Sequence, residues 1–138
     1  MRYAGIDYGA KRIGMAVGDE EVRIATPRGV VRRVSDAQAV REIIAAVRQE
    51  GIGIIIMGLP LAHDGSETGE SRAVRRFAEK LKEKIDVPVE FENEIFTTRM
   101  AAHEGIKKEN ADVASAAIIL QSYLDKKRHG TSDTGQGK

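Results

Sequence analysis

The chain has 138 residues, 22 Lys+Arg against 21 Asp+Glu for a net charge of +1, and 41% hydrophobic and 31% charged residues. That balance fits one soluble globular domain, and a chain this long can withdraw roughly 68–70% of its unfolded surface from water. With no cysteine, disulfides, thiolate metal sites and cysteine nucleophiles are excluded. No apolar run approaches the roughly 20 residues of a spanning helix. Met1-Arg2-Tyr3 runs straight into a strand-like pattern, so no cleaved leader, no membrane partner and a cytoplasmic protein are expected.

Residues 2–7 and 12–18 are alternating apolar stretches joined by Tyr8-Gly9-Ala10-Lys11. Period 2 around a Gly-containing turn predicts a β-hairpin. Residues 22–34 read as a third strand, and Pro27 and Gly29 make it bent or an edge. A helix then starts at Ser35 or Asp36 and keeps Val40, Ile43, Ile44 and Val47 on one face, with Gly51 as its stop. The β-branched run 52–57, closed by Gly58-Leu59-Pro60, reads as a buried parallel strand. The loop 62–69 contains Asp64-Gly65-Ser66 and is expected to be mobile. A second helix over about 71–84 buries Val74, Phe77, Ala78 and Leu81 and leaves its bases outside. Residues 87–91 form a fifth strand, 97–104 a short helix stopped by Gly105, and Asn110 caps a last helix that buries Val113, Ala116, Ala117, Leu120 and Leu124. Residues 126–138 are polar and Gly-rich, and are expected to form a disordered tail after a single domain over 1–125. The order β-β-β-α-β-α-β-α-α predicts an α/β fold: a five-stranded mixed sheet, its first three strands antiparallel, with helices on both faces.

Charge is segregated along this frame. Arg23, Arg28, Arg32 and Arg33 stand together, as do Arg72, Arg75, Arg76, Lys80, Lys82 and Lys84, while Glu90, Glu92 and Glu94 form an acidic knot. Phosphodiester chemistry with hard metal ions needs oxygen ligands converging at one end of a sheet. Asp7 ends the first strand, Glu94 follows the fifth, and Asp112 lies in the first turn of the final helix. Each also has a structural reading of its own: an Asx-turn for Asp7, a solvated loop acid for Glu94, a helix-dipole partner for Asp112. His63, His103 and His129 have no ligand-like spacing. Ser66 and Thr68 fit a surface turn better than a phosphate contact.

Gly5-Ile6-Asp7-Tyr8-Gly9, Lys11-Arg12-Ile13-Gly14 and Ala16-Val17-Gly18-Asp19 together resemble the N-terminal signature of the YqgF/RuvX family. Met57-Gly58-Leu59-Pro60 with Asp64-Gly65-Ser66, then Phe77-Ala78 and Leu81, follow at that family's spacing. Asn93-Glu94-Ile95-Phe96-Thr97-Thr98 stands at its Asp-Glu-Arg-Leu-Thr-Thr motif, and Asp112 through Leu124 resembles its last helix. The resemblance spans about residues 2–125. It implies a ribonuclease H-like fold related to the junction resolvase RuvC, and a bacterial endonuclease that matures the 5′ end of precursor 16S rRNA. By that resemblance Asp7, Glu94 and Asp112 are the metal ligands and catalytic residues, two Mg²⁺ or Mn²⁺ ions are the cofactors, and Lys11, Arg12, Arg72, Arg75 and Arg99 contact phosphate. Asn93 and Ile95 depart from the family's Asp and Arg, which removes one carboxylate and one guanidinium beside Glu94.

The partner implied is nucleic acid, precursor rRNA first and branched DNA second, and a homodimer is compatible with the sequence. A DNA junction resolvase and a non-catalytic nucleic-acid-binding member of the fold are the competing functions. Asp7-Tyr8-Gly9 also resembles the first phosphate loop of actin-like kinases, a reading discounted because those enzymes close two such domains over a nucleotide and this chain supplies one. Aromatic residues are 4% of the chain, which argues for recognition through backbone and shape rather than base stacking.

Overall fold

The computed structural model describes residues 1–93 and 108–134, with side chains described for 1–93 and 113–127. β1 (Arg2–Tyr8) and β2 (Arg12–Asp19) form the expected hairpin, with Asp7 opposite Gly14. β3 (Thr26–Arg32) pairs antiparallel with β2 at the edge. It is shorter than the stretch the sequence suggested. Asp19 accepts from the Val22 amide at 2.7 Å and Arg23 takes φ 60, so residues 20–25 turn instead of pairing. The ladder slips between Met15 and Ala16, opposite the segment with Pro27, whose missing amide cannot continue it.

β4 (Ile52–Leu59) runs parallel to β1, and β5 (Val89–Asn93) parallel to β4, giving the order β3-β2-β1-β4-β5. The strand that carries Asp7 is therefore central. β5 lies two residues later than its apolar pattern implied, because its register on β4 pairs Ile55 with Val89 and Leu59 with Asn93.

α1 (Asp36–Glu50) opens on a capping box between Ser35 and Gln38 and closes on Gly51 in the left-handed region at φ 66. α2 (Gly69–Lys84) opens on a second box, Thr68 with Ser71. Both helices cover one face, where Ile6, Ile13, Met15, Ile55 and Met57 pack against Ile43, Val47, Phe77 and Leu81. The strands step from β1 to β4 to β5 in one direction, so two crossovers of the same hand place both helices on that face. The opposite face belongs to α3 (Lys108–Thr134), which packs Ala116, Ile119, Leu120 and Leu124 on Tyr3, Ala16 and Ile56. A Cβ on Gly5 would stand 2.7 Å from the Ala116 carbonyl and 2.7 Å from Leu120 Cβ, so α3 rests directly on the β1 backbone there.

α3 starts two residues before Asn110 and runs past Asp125, into the stretch assigned to a tail. The short helix expected over 97–104 lies outside the described residues. Among the described residues no helix is long and apolar enough to cross a membrane.

Candidate functional site

Asp7 sits at the C-terminal end of β1, and the C-terminal ends of β4 and β5 reach the same edge of the sheet. Open α/β sheets bind their ligands outside this edge. Strand alternation puts Asp7 on the face of Tyr3 and Gly5, under α3, and its residue is 9% exposed. Gly14 lies opposite it on β2. One step beyond the Ile6–Met57 pair, the register brings Gly58 beside it on β4. Gly58 in turn pairs with Glu92 on β5. The row across the sheet thus reads Gly14, Asp7, Gly58, Glu92, two carboxylates separated by one residue without a side chain.

Glu92 is 5% exposed and is held from α3 by the Ser122 hydroxyl, donating at 2.7 Å, and by Lys126 at 2.8 Å. Two residues earlier, Glu90 accepts from the Tyr123 hydroxyl at 2.9 Å. The Tyr123 ring lies 5.8 Å from that of Tyr3, whose own hydroxyl donates to Glu20 at 3.0 Å. Burial, then the bond to Glu20, pushes the Tyr3 phenol up to about 12; burial and Glu90 raise Tyr123 in the same way. Two members of the acidic knot therefore tie β5 to α3. Sequence reasoning missed this role for Glu92 because Lys126 was assigned to the tail. Ser122 and Lys126 at i, i+4 were the available signal.

Of the other two candidate ligands, Asp112 lies on α3 one turn before Ala116, whose carbonyl faces Gly5, which sets its backbone toward the Asp7 end of β1. Its side chain lies outside the described residues, as do Glu94 and Arg99. Among the described residues no three His, Asp or Glu side chains gather as a metal-binding group. The donor at hand, a nearly buried carboxylate at a strand end, is of the hard oxygen type that suits Mg²⁺ or Mn²⁺.

The candidate phosphate contacts divide. Lys11 is exposed in the turn after β1, and Arg12 opens β2, both within a few residues of Asp7. Arg72 is exposed in the first turns of α2. Arg75 is committed elsewhere. It holds Glu67 through Nε at 3.0 Å and Nη2 at 2.9 Å and lies 5.2 Å over the Phe91 ring. The loop before α2, expected to be mobile, is bonded internally. Asp64 accepts from the Ser66 amide and hydroxyl at 3.0 and 2.6 Å, and the Thr68 hydroxyl donates to the Pro60 carbonyl at 3.0 Å. Ser66 and Thr68 thus serve a turn and a helix cap.

Behind the edge, Asp36 gathers three donors: the Tyr8 hydroxyl at 2.8 Å, Arg33 at 2.7 Å and Lys80 at 2.9 Å. Burial alone would raise its pKa, but the bonds from Lys80, Arg33 and Tyr8 outweigh that and bring it down to about 2. This hub fixes Tyr8, the residue after Asp7, to the start of α1.

The family profile described as "RuvX: Holliday junction resolvase" matches residues 1–126. A protein of Anaeromyxobacter sp. (strain Fw109-5) named "Putative pre-16S rRNA nuclease" is 37% identical over 134 residues, covering 91% of this chain and 97% of its own. One of the same name from Anaplasma marginale is 39% identical over 132 residues, covering 90% and 84%. Among solved structures, T. thermophilus RuvC in complex with Holliday junction substrate superposes with a TM-score of 0.65 at 18% identity, covering 95% and 98%. The fowlpox virus resolvase in complex with junction DNA gives 0.55 at 11% identity, covering 91% and 98%. These two likenesses show the fold: the sheet and helices are those of the ribonuclease H-like resolvases.

Proposed function

The chain belongs to the RuvX family, and from that premise we propose that it is a divalent-metal-dependent endonuclease acting in 5′-end maturation of precursor 16S rRNA. The observation that carries the reading is the Asp7 carboxylate, 9% exposed at the end of the central strand, beneath the helix that carries Asp112. The relatives' name supplies the substrate class.

Asp7, Glu94 and Asp112 are the residues that would hold the ions. Two Mg²⁺ or Mn²⁺ ions, when bound, supply an acidified water and neutralise charge on the leaving oxygen. Asp7 stands on a backbone already held in place, since its strand is paired on both sides. Lys11, Arg12, Arg72 and Arg99 would hold the flanking phosphates and set the polymer's register without reading its sequence. Arg75 acts at one remove, keeping Glu67 and the loop before α2 in place. Asn93 contributes an amide oxygen where relatives of the signature carry a carboxylate, so the metal would rest mainly on the three acids.

The test is cleavage of a labelled precursor RNA in Mg²⁺, Mn²⁺ and EDTA, with Asp7→Asn alongside. Metal-dependent cleavage that the variant lacks supports the reading. Binding without cleavage under any metal would replace it with a non-catalytic module. A second substrate has its own support in the family's description and the RuvC fold. A four-way DNA junction cleaved faster than the RNA would make the chain a resolvase.

A further inference from the structure

We infer that the groove between α1 and α2 binds the phosphate backbone of the nucleic acid whose cleavage is proposed above, leading it away from the catalytic edge. The inference rests on that nuclease reading for the identity of the polymer, and on the groove's own charge for the binding.

The groove has a volume of about 610 Å³ and a floor of Val40 and Ile44, with Arg41, Arg48 and Lys84 on its rims and Glu83 beside them. A second hollow of about 300 Å³ continues it past Arg48 and Lys84 to Asp86. Several bases on this chain are answered by an acid. Arg28 meets Glu50, Arg33 and Lys80 meet Asp36, Arg75 meets Glu67, Lys82 meets Glu79 and Lys126 meets Glu92. Arg41, Arg48 and Lys84 are exposed and, among the described residues, make no side-chain hydrogen bond or ion pair. Three unanswered cations along one apolar-floored groove focus a positive field that suits a polyanion.

Placement argues for the substrate's own backbone. α1 begins at Asp36, which is bonded to Tyr8, the residue after Asp7, so the groove starts at the edge where Asp7 sits. From there Arg41 and Arg48 follow on one side of the helix, about 10 Å apart along its axis. That interval covers about three phosphate steps of one strand in a duplex. Ala45, between them, keeps the rim low enough for a backbone to lie across it. An acidic protein would answer the charge but has no need of a path that begins at the catalytic edge.

The experiment measures binding of a labelled RNA hairpin, and of a DNA hairpin of the same sequence, by fluorescence anisotropy in EDTA from 50 to 200 mM KCl. Arg41→Glu/Arg48→Glu/Lys84→Glu is expected to weaken binding at least about tenfold and to make the salt slope shallower by about two to three, roughly one for each phosphate no longer neutralised. Lys82→Glu reverses a single charge outside the groove and is expected to stay within about twofold of wild type, with a smaller loss than any one groove reversal. If the triple variant fails to fold by circular dichroism, Arg41→Gln, Arg48→Gln and Lys84→Gln take its place, each expected to weaken binding about two- to threefold. Wild-type binding by the groove variants, or an equal loss with Lys82→Glu, overturns the proposal. A stronger effect on the RNA hairpin than on DNA supports it for RNA, and the reverse supports it for DNA. Because binding is read without metal, a wild-type protein that never cleaves removes the nuclease reading and leaves the groove standing. Binding abolished by Lys11→Glu alone does the opposite.

Discussion

Glu92 on β5 and Lys126 on α3 meet at 2.8 Å, the carboxylate side chain 6% exposed and the ammonium 67% exposed. The asymmetry decides which partner matters. An ammonium in water gives a screened interaction, worth roughly 0–1 kcal/mol. The Ser122 hydroxyl, at 2.7 Å from the same carboxylate, satisfies a lone pair that solvent hardly reaches. Lys126→Ala is therefore expected to cost less than about 1 kcal/mol and Ser122→Ala about 1–3 kcal/mol. Urea melts of both variants check the order. A larger cost for Lys126→Ala would mean that the ion pair, not the hydroxyl, secures β5 to α3.

The contact of α3 with β1 has no slack. A methyl group on Gly5 would meet backbone and a Cβ at 2.7 Å, neither of which can rotate away. Gly5→Ala is expected to destabilise by at least about 1–3 kcal/mol through overpacking. Gly29→Ala on β3, where nothing lies within 4 Å, is the matched control. A small effect at Gly5 would show that α3 can lift from the sheet without loss.

Asp36 gives the fold an acid-sensitive element. Its folded pKa of about 2 is depressed below the ordinary 3.8, so the stability it contributes is present above about pH 4 and is lost as pH falls toward 2. The shift corresponds to about 2 kcal/mol. Asp36→Asn is expected to flatten the dependence of unfolding free energy on pH between about 4 and 2, and to lower stability at neutral pH. An unchanged slope in acid would remove the Tyr8–Arg33–Lys80 hub as its source.

How far the sequence carried this can be argued from its failures. The hairpin, both crossovers and the start of α1 were legible because alternation, Ser35 and Gly51 are local signals. The third strand was overextended because Val22 and Ile24 are apolar, yet both stay about 60% exposed once Asp19 has turned the chain. β5 was placed two residues early because its bounds come from pairing with β4, a non-local fact. Asp7 could be singled out because a carboxylate ending a central apolar strand is conspicuous. Glu92 could not, since its burial depends on Ser122 and Lys126, about thirty residues away in a helix whose polar end reads as a tail. Arg75, a candidate phosphate contact by its sequence, has Glu67 and Phe91 as neighbours that no local pattern signals.

If Asp7 holds a divalent ion, its loss should be visible in binding as well as in cleavage. Loss of an outer partner of a metal ligand costs roughly 10–100-fold in affinity or activity, and loss of a ligand itself should cost more. Asp7→Asn is expected to lose more than about a hundredfold in metal-dependent cleavage. Mn²⁺ should raise the melting temperature of the wild type and not of the variant, because only an ion that binds the folded state stabilises it. Stabilisation that survives the substitution would move the ion away from β1.

Arg72 and Arg75 stand three residues apart on α2 and should fail differently. Arg72 is exposed, so Arg72→Ala is expected to leave stability within about 0.5 kcal/mol and to make the salt dependence of RNA binding shallower by about one. Arg75 carries two hydrogen bonds to Glu67 and the stack on Phe91. Arg75→Ala is expected to speed amide exchange at Ser66 and Thr68 while leaving the salt slope as it was. Lysine at 75 keeps the charge but cannot form the bidentate pair, so Arg75→Lys should loosen the same amides. A shallower salt slope with unchanged exchange would instead put Arg75 on the phosphate, with its bonds to Glu67 given up on binding.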